Sequence, residues 1–388
     1  MFENWKHDIE KFYPKMVEIR RHLHQFPELS FKEEKTPRFI AEYLQKLGIE
    51  VRTGVGGRGV VGILRGGKPG KTIALRADFD ALPINDQKNV PYKSKIPGAM
   101  YACGHDAHTA IVLGVATVLA KYKNELQGNI VFIHQFAEEQ PPGGAKPMIV
   151  DGCLDGVDVI FGTHLQNMDP VGTVYYREGY IQAAADSFEI EVMGKGGHGA
   201  LPHETIDPII ISSHIAINLQ QIVSRRVNPL KSAVVSIGSI QSGEAYNVIP
   251  DHAKLIGTVR TFEAEIRDMI EQSFKKIIAG ICSAHGANYK FSYKRGYDAV
   301  WNHKDETQFI KNRAAEVIGA ENVRETQPIM PGEDFSYYLQ NVPGTYFFTG
   351  AGNDSIKYPH HHPKFDIDEK AMLIAAKIFL NAIAKYNN

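Results

Sequence analysis

Only three cysteines, Cys103, Cys153 and Cys282, occur in 388 residues. An odd and sparse set does not suit a disulfide framework, so each thiol stays available for chemistry. Long apolar runs are also missing. No stretch approaches the roughly 20 residues of a membrane span, and Met1-Phe-Glu-Asn-Trp-Lys6 carries no apolar signal core. The expectation is a cytoplasmic protein without a membrane partner. Charge of one sign is absent too: the formal net charge is −1, and no basic stripe stands out for a nucleic-acid partner to use.

What is present fits an ordinary globular enzyme, with 43% hydrophobic and 22% charged residues and no low-complexity tract. The length suggests two domains. Ile9, Phe12, Tyr13, Met16 and Ile19 fall at helical spacing, and a second helical pattern covers roughly 36 to 47. Apolar runs at Val60–Leu64, Ile73–Leu75, Ile130–Phe136 and Val157–Gly162, with a helical stretch from about Thr109 to Lys121, predict an α/β sheet. From Asp186 the texture changes to alternation, Phe188, Ile190 and Val192 with polar residues between. The following elements read βαββαβ, a ferredoxin-like order. The expected division is therefore 1–183 with 297–388 as one domain and 184–296 as an insertion.

Two motifs are decoys. Gly54-Val-Gly-Gly-Arg-Gly59 satisfies GxGxxG, yet a β-like run follows where a pyrophosphate would need a helix N-terminus. Gly66-Gly-Lys-Pro-Gly-Lys-Thr72 resembles a phosphate loop, but Arg65 stands where the first glycine must be.

Four clusters carry chemistry. Tyr101-Ala-Cys-Gly-His-Asp-Ala-His108 gathers a thiol, two imidazoles and a carboxylate; Cys103 and His105 could reach one late first-row metal ion. A helix N-terminus with incidental histidines would read the same way. The run Ile130–Ala137 ends in Glu138-Glu139, so that one carboxylate could bind metal while its neighbour moves protons. Val157–Gly162 runs into Thr163-His164, and Tyr358-Pro-His-His-His-Pro363 precedes the last helical pattern. In open α/β sheets sites form beyond the carboxyl ends of strands, and each cluster falls at such an end or at a loop entry. A metal site is the joint reading.

These residues are similar to the M20 metallopeptidases over nearly the whole chain, in the amidohydrolase branch of aminoacylase-like, hippurate-hydrolase-like and auxin-conjugate hydrolases. The likeness rests on Arg20–Glu28, Leu75–Pro83, Ala102–His108, Glu138-Glu139, Gly162–His164, Gly196–Ala200 and Pro331–Phe335. It implies a catalytic domain with a mixed sheet flanked by helices, interrupted by a ferredoxin-like lid through which chains form homodimers or higher homo-oligomers. It also implies two divalent ions (manganese, zinc, cobalt or nickel) held by Cys103, His105, Glu139, His164 and His361, the last chosen over His362 by its distance from Pro363. Glu138 would be the general base and Asp78 a support behind a ligand. His198 would help stabilise the oxyanion, and Asn247 and Arg260 would hold a substrate carboxylate. Other branches open with a metal-binding His-x-Asp, whereas Arg76-Ala-Asp78 has no histidine, and Cys103 would compensate by bridging the ions. The implied substrates are small N-acyl amino acids. A dipeptidase, a deacetylase of a biosynthetic intermediate, an amidase using Cys103 as nucleophile and a non-catalytic metal-binding protein are the alternatives.

Overall fold

The computed structural model describes residues 2–387 and divides into two compact units. The first gathers the chain up to Ile181, Val300–Pro328 and the chain from Asp334 onward; the second is Gln182–Ala299 with Ile329–Glu333.

An eight-stranded mixed sheet forms the first unit, in the order Glu50–Val55, Gly59–Arg65, Gln127–Gln135, Lys68–Asp78, Val159–Pro170, Gly344–Gly352, Val174–Tyr176, Val323–Glu325. Its four central strands run parallel. Covered on both faces, they are continuous apolar runs such as Ile130-Val-Phe-Ile133 and Tyr346-Phe-Phe348, all buried. Parallel direction also places their carboxyl ends along one edge. There Asp78 lies opposite Gln135, and Arg76 lies opposite Gly162, where an added Cβ would meet the Phe335 and Tyr346 rings at 2.7 Å. Helices Phe2–Gln25, His105–Lys121 and Lys370–Tyr386 pack against one another beside the sheet. The middle one is buried on all sides of its first three turns, which suits its apolar composition. Among the described residues no helix is long and apolar enough to cross a membrane.

Two elements depart from the expected bounds. The helix expected from Thr109 begins at His105, after Gly104 in a left-handed conformation (φ +95°). Its first turn is buried through ion pairs, which hydrophobic periodicity does not register. The strand expected to stop at Gly162 continues to Pro170, because its second half pairs with Phe347–Gly352. His164 therefore stands within a strand, opposite Phe348, and not at a strand end.

The second unit has the order βαββαβ: strand Ala184–Met193, helix Pro208–Arg225, strands Ala233–Gln241 and His252–Thr261, helix Ala264–His285, strand Asn288–Arg295. The antiparallel sheet places Ala233–Gln241 at one edge and Asn288–Arg295 at the other. Phe188, Ile190 and Val192 face a core completed by Ile215, Leu219, Ile270 and Phe274, while Glu189 and Glu191 point outward.

Candidate metal centre

Alternation along Lys68–Asp78 puts Arg76 and Asp78 on one side of the strand. The Arg76 guanidinium donates to Asp78 Oδ2 (2.5 Å), Gln135 Oε1 (2.9 Å) and Asp334 Oδ1 (3.0 Å), all buried. His108 Nδ1 donates to Asp78 Oδ1 (2.7 Å), and its Nε2 accepts from the Leu165 amide (3.1 Å). Both nitrogens of His108 are thus engaged by protein. Burial would raise the Asp78 carboxyl, but the His105 and Arg76 charges and the His108 hydrogen bond hold it well below the ordinary carboxylate range.

One layer nearer the cluster, Asp80 orients the ligand candidates. His105 Nδ1 faces the Asp80 carbonyl (3.0 Å) and Oδ1 (3.2 Å), so that nitrogen carries a proton and Nε2 is turned toward the cluster. Asp80 Oδ2 accepts from Ser30 Oγ (2.7 Å) and from the Glu139 amide (3.0 Å). His164 follows the same logic: Nδ1 donates to the Leu165 carbonyl (3.1 Å), and Nε2 turns to Cys103 Sγ (3.3 Å).

Of the three adjacent histidines, His360 places Nε2 on the Leu165 carbonyl (2.9 Å). His362 stacks on Tyr358 with ring centroids 4.3 Å apart and accepts from the Lys364 amide. His361 turns the other way, with Nε2 at 3.2 Å from Glu139 Oε1. Its backbone is left-handed (φ +64°), as is that of Ala137 (φ +51°) immediately before the glutamate pair. Non-glycine residues in this region cost of order 1–3 kcal/mol and cluster at functional sites.

The ligand atoms fall into two ion-sized groups, Cys103 with His105 and His164, and Cys103 with Glu139 and His361, each within 4.8 Å of one another. Cys103 belongs to both. His105 Nε2 is buried without a hydrogen bond, 3.8 Å from Glu139 Oε1. A buried imidazole nitrogen left without a partner beside a carboxylate is what a cation between them would satisfy. Electrostatics agree. Burial opposes a charged His105, yet Asp78, Asp80 and Glu139 lift it to about 10, while burial and then Glu139, Glu138 and Asp78 push the Cys103 thiol well up. The pocket favours positive charge and resists a bare thiolate. Thiolate, imidazole and carboxylate together suit a divalent first-row ion.

A match to the family described as peptidase family M20/M25/M40 spans residues 74–385. The chain belongs to this family. YhaA of Bacillus subtilis (strain 168), named as an amidohydrolase, is 56% identical over 97% of this chain and 95% of its own. An N-acyl-L-amino acid amidohydrolase of Geobacillus stearothermophilus is 44% identical over 78% of this chain and 82% of its own. The solved structure of Bacillus subtilis YXEP protein, described as a dinuclear metal-binding peptidase from the M20 family, superposes with a TM-score of 0.83 at 35% identity, covering 96% and 98% of the two chains. The protein is accordingly an M20 hydrolase of amidohydrolase type whose cluster suits divalent metal.

Within this M20 chain, Asp78, Cys103, His105, Glu138, Glu139, His164 and His361 converge in the first unit, with Glu138 Oε2 3.8 Å from His105 Nε2. The other three candidates lie in the second unit. His198 pairs through its backbone with Val248, and the Asn247 carbonyl accepts from the Gly199 amide (2.8 Å), so these two are neighbours. Arg260, half-buried on His252–Thr261, donates to the Thr258 hydroxyl and the Val259 carbonyl. The sequence assigned no role to Asp80, His108 or Asp334. The first was detectable: Asp78-Phe-Asp80 places two carboxylates at strand spacing before a loop.

Proposed function

We propose that the protein hydrolyses the amide bond of small N-acyl amino acids at this metal centre, with Glu138 as general base. The observation that carries the reading is the sharing of Cys103 between two ion-sized ligand groups with a buried second carboxylate, Glu138, beside them. Cys103, His105 and His164 would hold one divalent ion and Cys103, Glu139 and His361 the other, whether manganese, zinc, cobalt or nickel. Bound there, the pair supplies Lewis acidity to water and to the amide carbonyl. Glu138 takes the proton of the attacking water and delivers it to the leaving nitrogen, so a carboxylic acid and an amine are released. Asp78 keeps His108 and Arg76 fixed behind His105. His198 donates to the developing oxyanion, and Asn247 and Arg260 hold the substrate carboxylate, Arg260 through its fork of donors. A dipeptide or an N-acetylated biosynthetic intermediate presents the same amide and the same carboxylate. A nucleophilic Cys103 is disfavoured, since its surroundings raise the thiol where such a mechanism needs it lowered.

The test is hydrolysis of N-acetyl, N-benzoyl and dipeptide substrates before and after chelation, with manganese, zinc or cobalt restored. Cleavage lost on chelation and recovered with metal is expected. Cleavage indifferent to chelation but abolished by thiol alkylation would replace the reading with a cysteine mechanism.

A further inference from the structure

Resting on that metal reading, we propose that Asn167 and Arg20 are positioning residues that hold the His361 loop at the height its ion site requires. The His361 left-handed backbone does not favour itself, so something outside the loop must hold it. Asn167 lies three residues after His164 on the same strand and is 1% exposed. Its one amide nitrogen donates to the Tyr358 carbonyl (2.7 Å) and to the Asp366 carbonyl (3.0 Å), one on either side of His361. A single side chain thereby closes the loop at both ends and ties it to the strand of His164.

Arg20, on the first helix and 0% exposed, supplies a second tie. Its Nε donates to Asp106 Oδ2 (2.9 Å), beside His105, while Nη2 donates to Asp366 Oδ1 (2.8 Å) and Nη1 to Glu369 Oε1 (3.1 Å). The guanidinium thus joins the start of the His105 helix to the far end of the His361 loop. Backbone bonds from His361 N to the Ala102 carbonyl (2.8 Å) and from Gln87 N to the Pro363 carbonyl (2.8 Å) complete the anchorage. Asn167 and Arg20 belong to none of the candidate ligand groups. What they set is the separation between His361 and the ligands borne by the strand and the helix.

The chemistry at Asn167 is specific to a donor. Its Oδ1 is buried without a partner, and both bonds use the amide hydrogens. Asn167→Asp keeps the size but turns an acceptor toward two carbonyls. In the full-length protein, zinc(II) alone, buffered by a competing chelator, is titrated into wild type, Asn167→Asp, Arg20→Lys and Asp366→Ala. Stoichiometry is read by elemental analysis and the stability of the chelated protein by thermal melting. Wild type should bind two ions. The variants should keep one at near wild-type affinity and bind the other about 10- to 100-fold more weakly, as losses of ligand-orienting partners do. A general structural role would lower the melting temperature of the chelated protein and weaken both sites alike, and that result overturns the proposal. So do two ions at wild-type affinity in the variants. Asp366→Ala, at the loop's partly exposed end, decides the matter should Asn167→Asp not fold. A wild type that binds no ion would instead remove the metal reading on which this one rests.

Discussion

Glu33 is buried with one carboxylate oxygen on the Ala137 amide (2.9 Å) and the other 4.0 Å from Arg58 Nε. Burial, then the nearby Asp80 charge, push its carboxyl up from 4.5 to about 7. Between those values the folded chain holds a proton that the unfolded chain has released, so stability falls as pH rises through that window. The penalty is complete above it, on the order of 3 kcal/mol. Glu33→Gln keeps an acceptor for Ala137 and removes the charge. It should be more stable than wild type at pH 8, with the gap closing toward pH 4.5 in urea titrations; a gap independent of pH would refute the assignment. At Glu138 the expected effect is on rate: Glu138→Gln should lose about 10²- to 10⁴-fold in turnover while elemental analysis still finds its metal. Loss of metal with activity would make Glu138 a ligand. The ligand types were legible because sulfur, imidazole and carboxylate recur at strand and loop junctions. Asp80 was not singled out: the Asp78-Phe-Asp80 spacing marks it as a candidate, but the histidine it faces lies 25 residues on and is brought to it only by the fold.

Helix Pro208–Arg225 and helix His105–Lys121 show what makes an element's start readable. The first begins with Asp207, whose side chain accepts from the Ile209 and Ile210 amides, and has proline as its first residue. That signal is local, so it can be read from neighbouring residues. Asp207→Ala should therefore cost about 1 kcal/mol and Asp207→Asn little, by urea denaturation. Equal losses would mean that Asp207 contributes charge, not a cap. The second helix has no side-chain cap, and its first turn is held by partners distant in sequence: Arg20 and His24 on Asp106, Asp80 on His105. Strand Val159–Pro170 likewise extends past His164 only because Gly344–Gly352 lies alongside.

Homo-oligomer formation through the second unit is a proposal at the scale of the whole molecule. On helix Pro208–Arg225, Ile210 and Ile217 are seven residues apart and so share a face, and they are 51% and 64% exposed. Strand Ala233–Gln241 of the same unit is an edge strand with Ile240 exposed. An apolar stripe and an unpaired edge in one small unit are features of a protein interface. Sedimentation should find a dimer or larger species in the wild type, and Ile217→Glu should shift it toward monomer with metal content unchanged. A wild type that sediments as a monomer at tens of micromolar would end the proposal.

By itself the sequence determined the α/β sheet, the βαββαβ order, the residue types of the cluster and the family, because periodicity and motif spacing are properties of neighbouring residues. Tertiary structure alone decided which nitrogen of each histidine faces the cluster, that His360 and His362 are engaged elsewhere, and that His108 is consumed by Asp78 and Leu165. Those outcomes depend on carbonyls, amides and carboxylates supplied by strands and loops far away along the chain. An imidazole is committed by the partner that reaches its other nitrogen, and no spacing in the sequence records that partner.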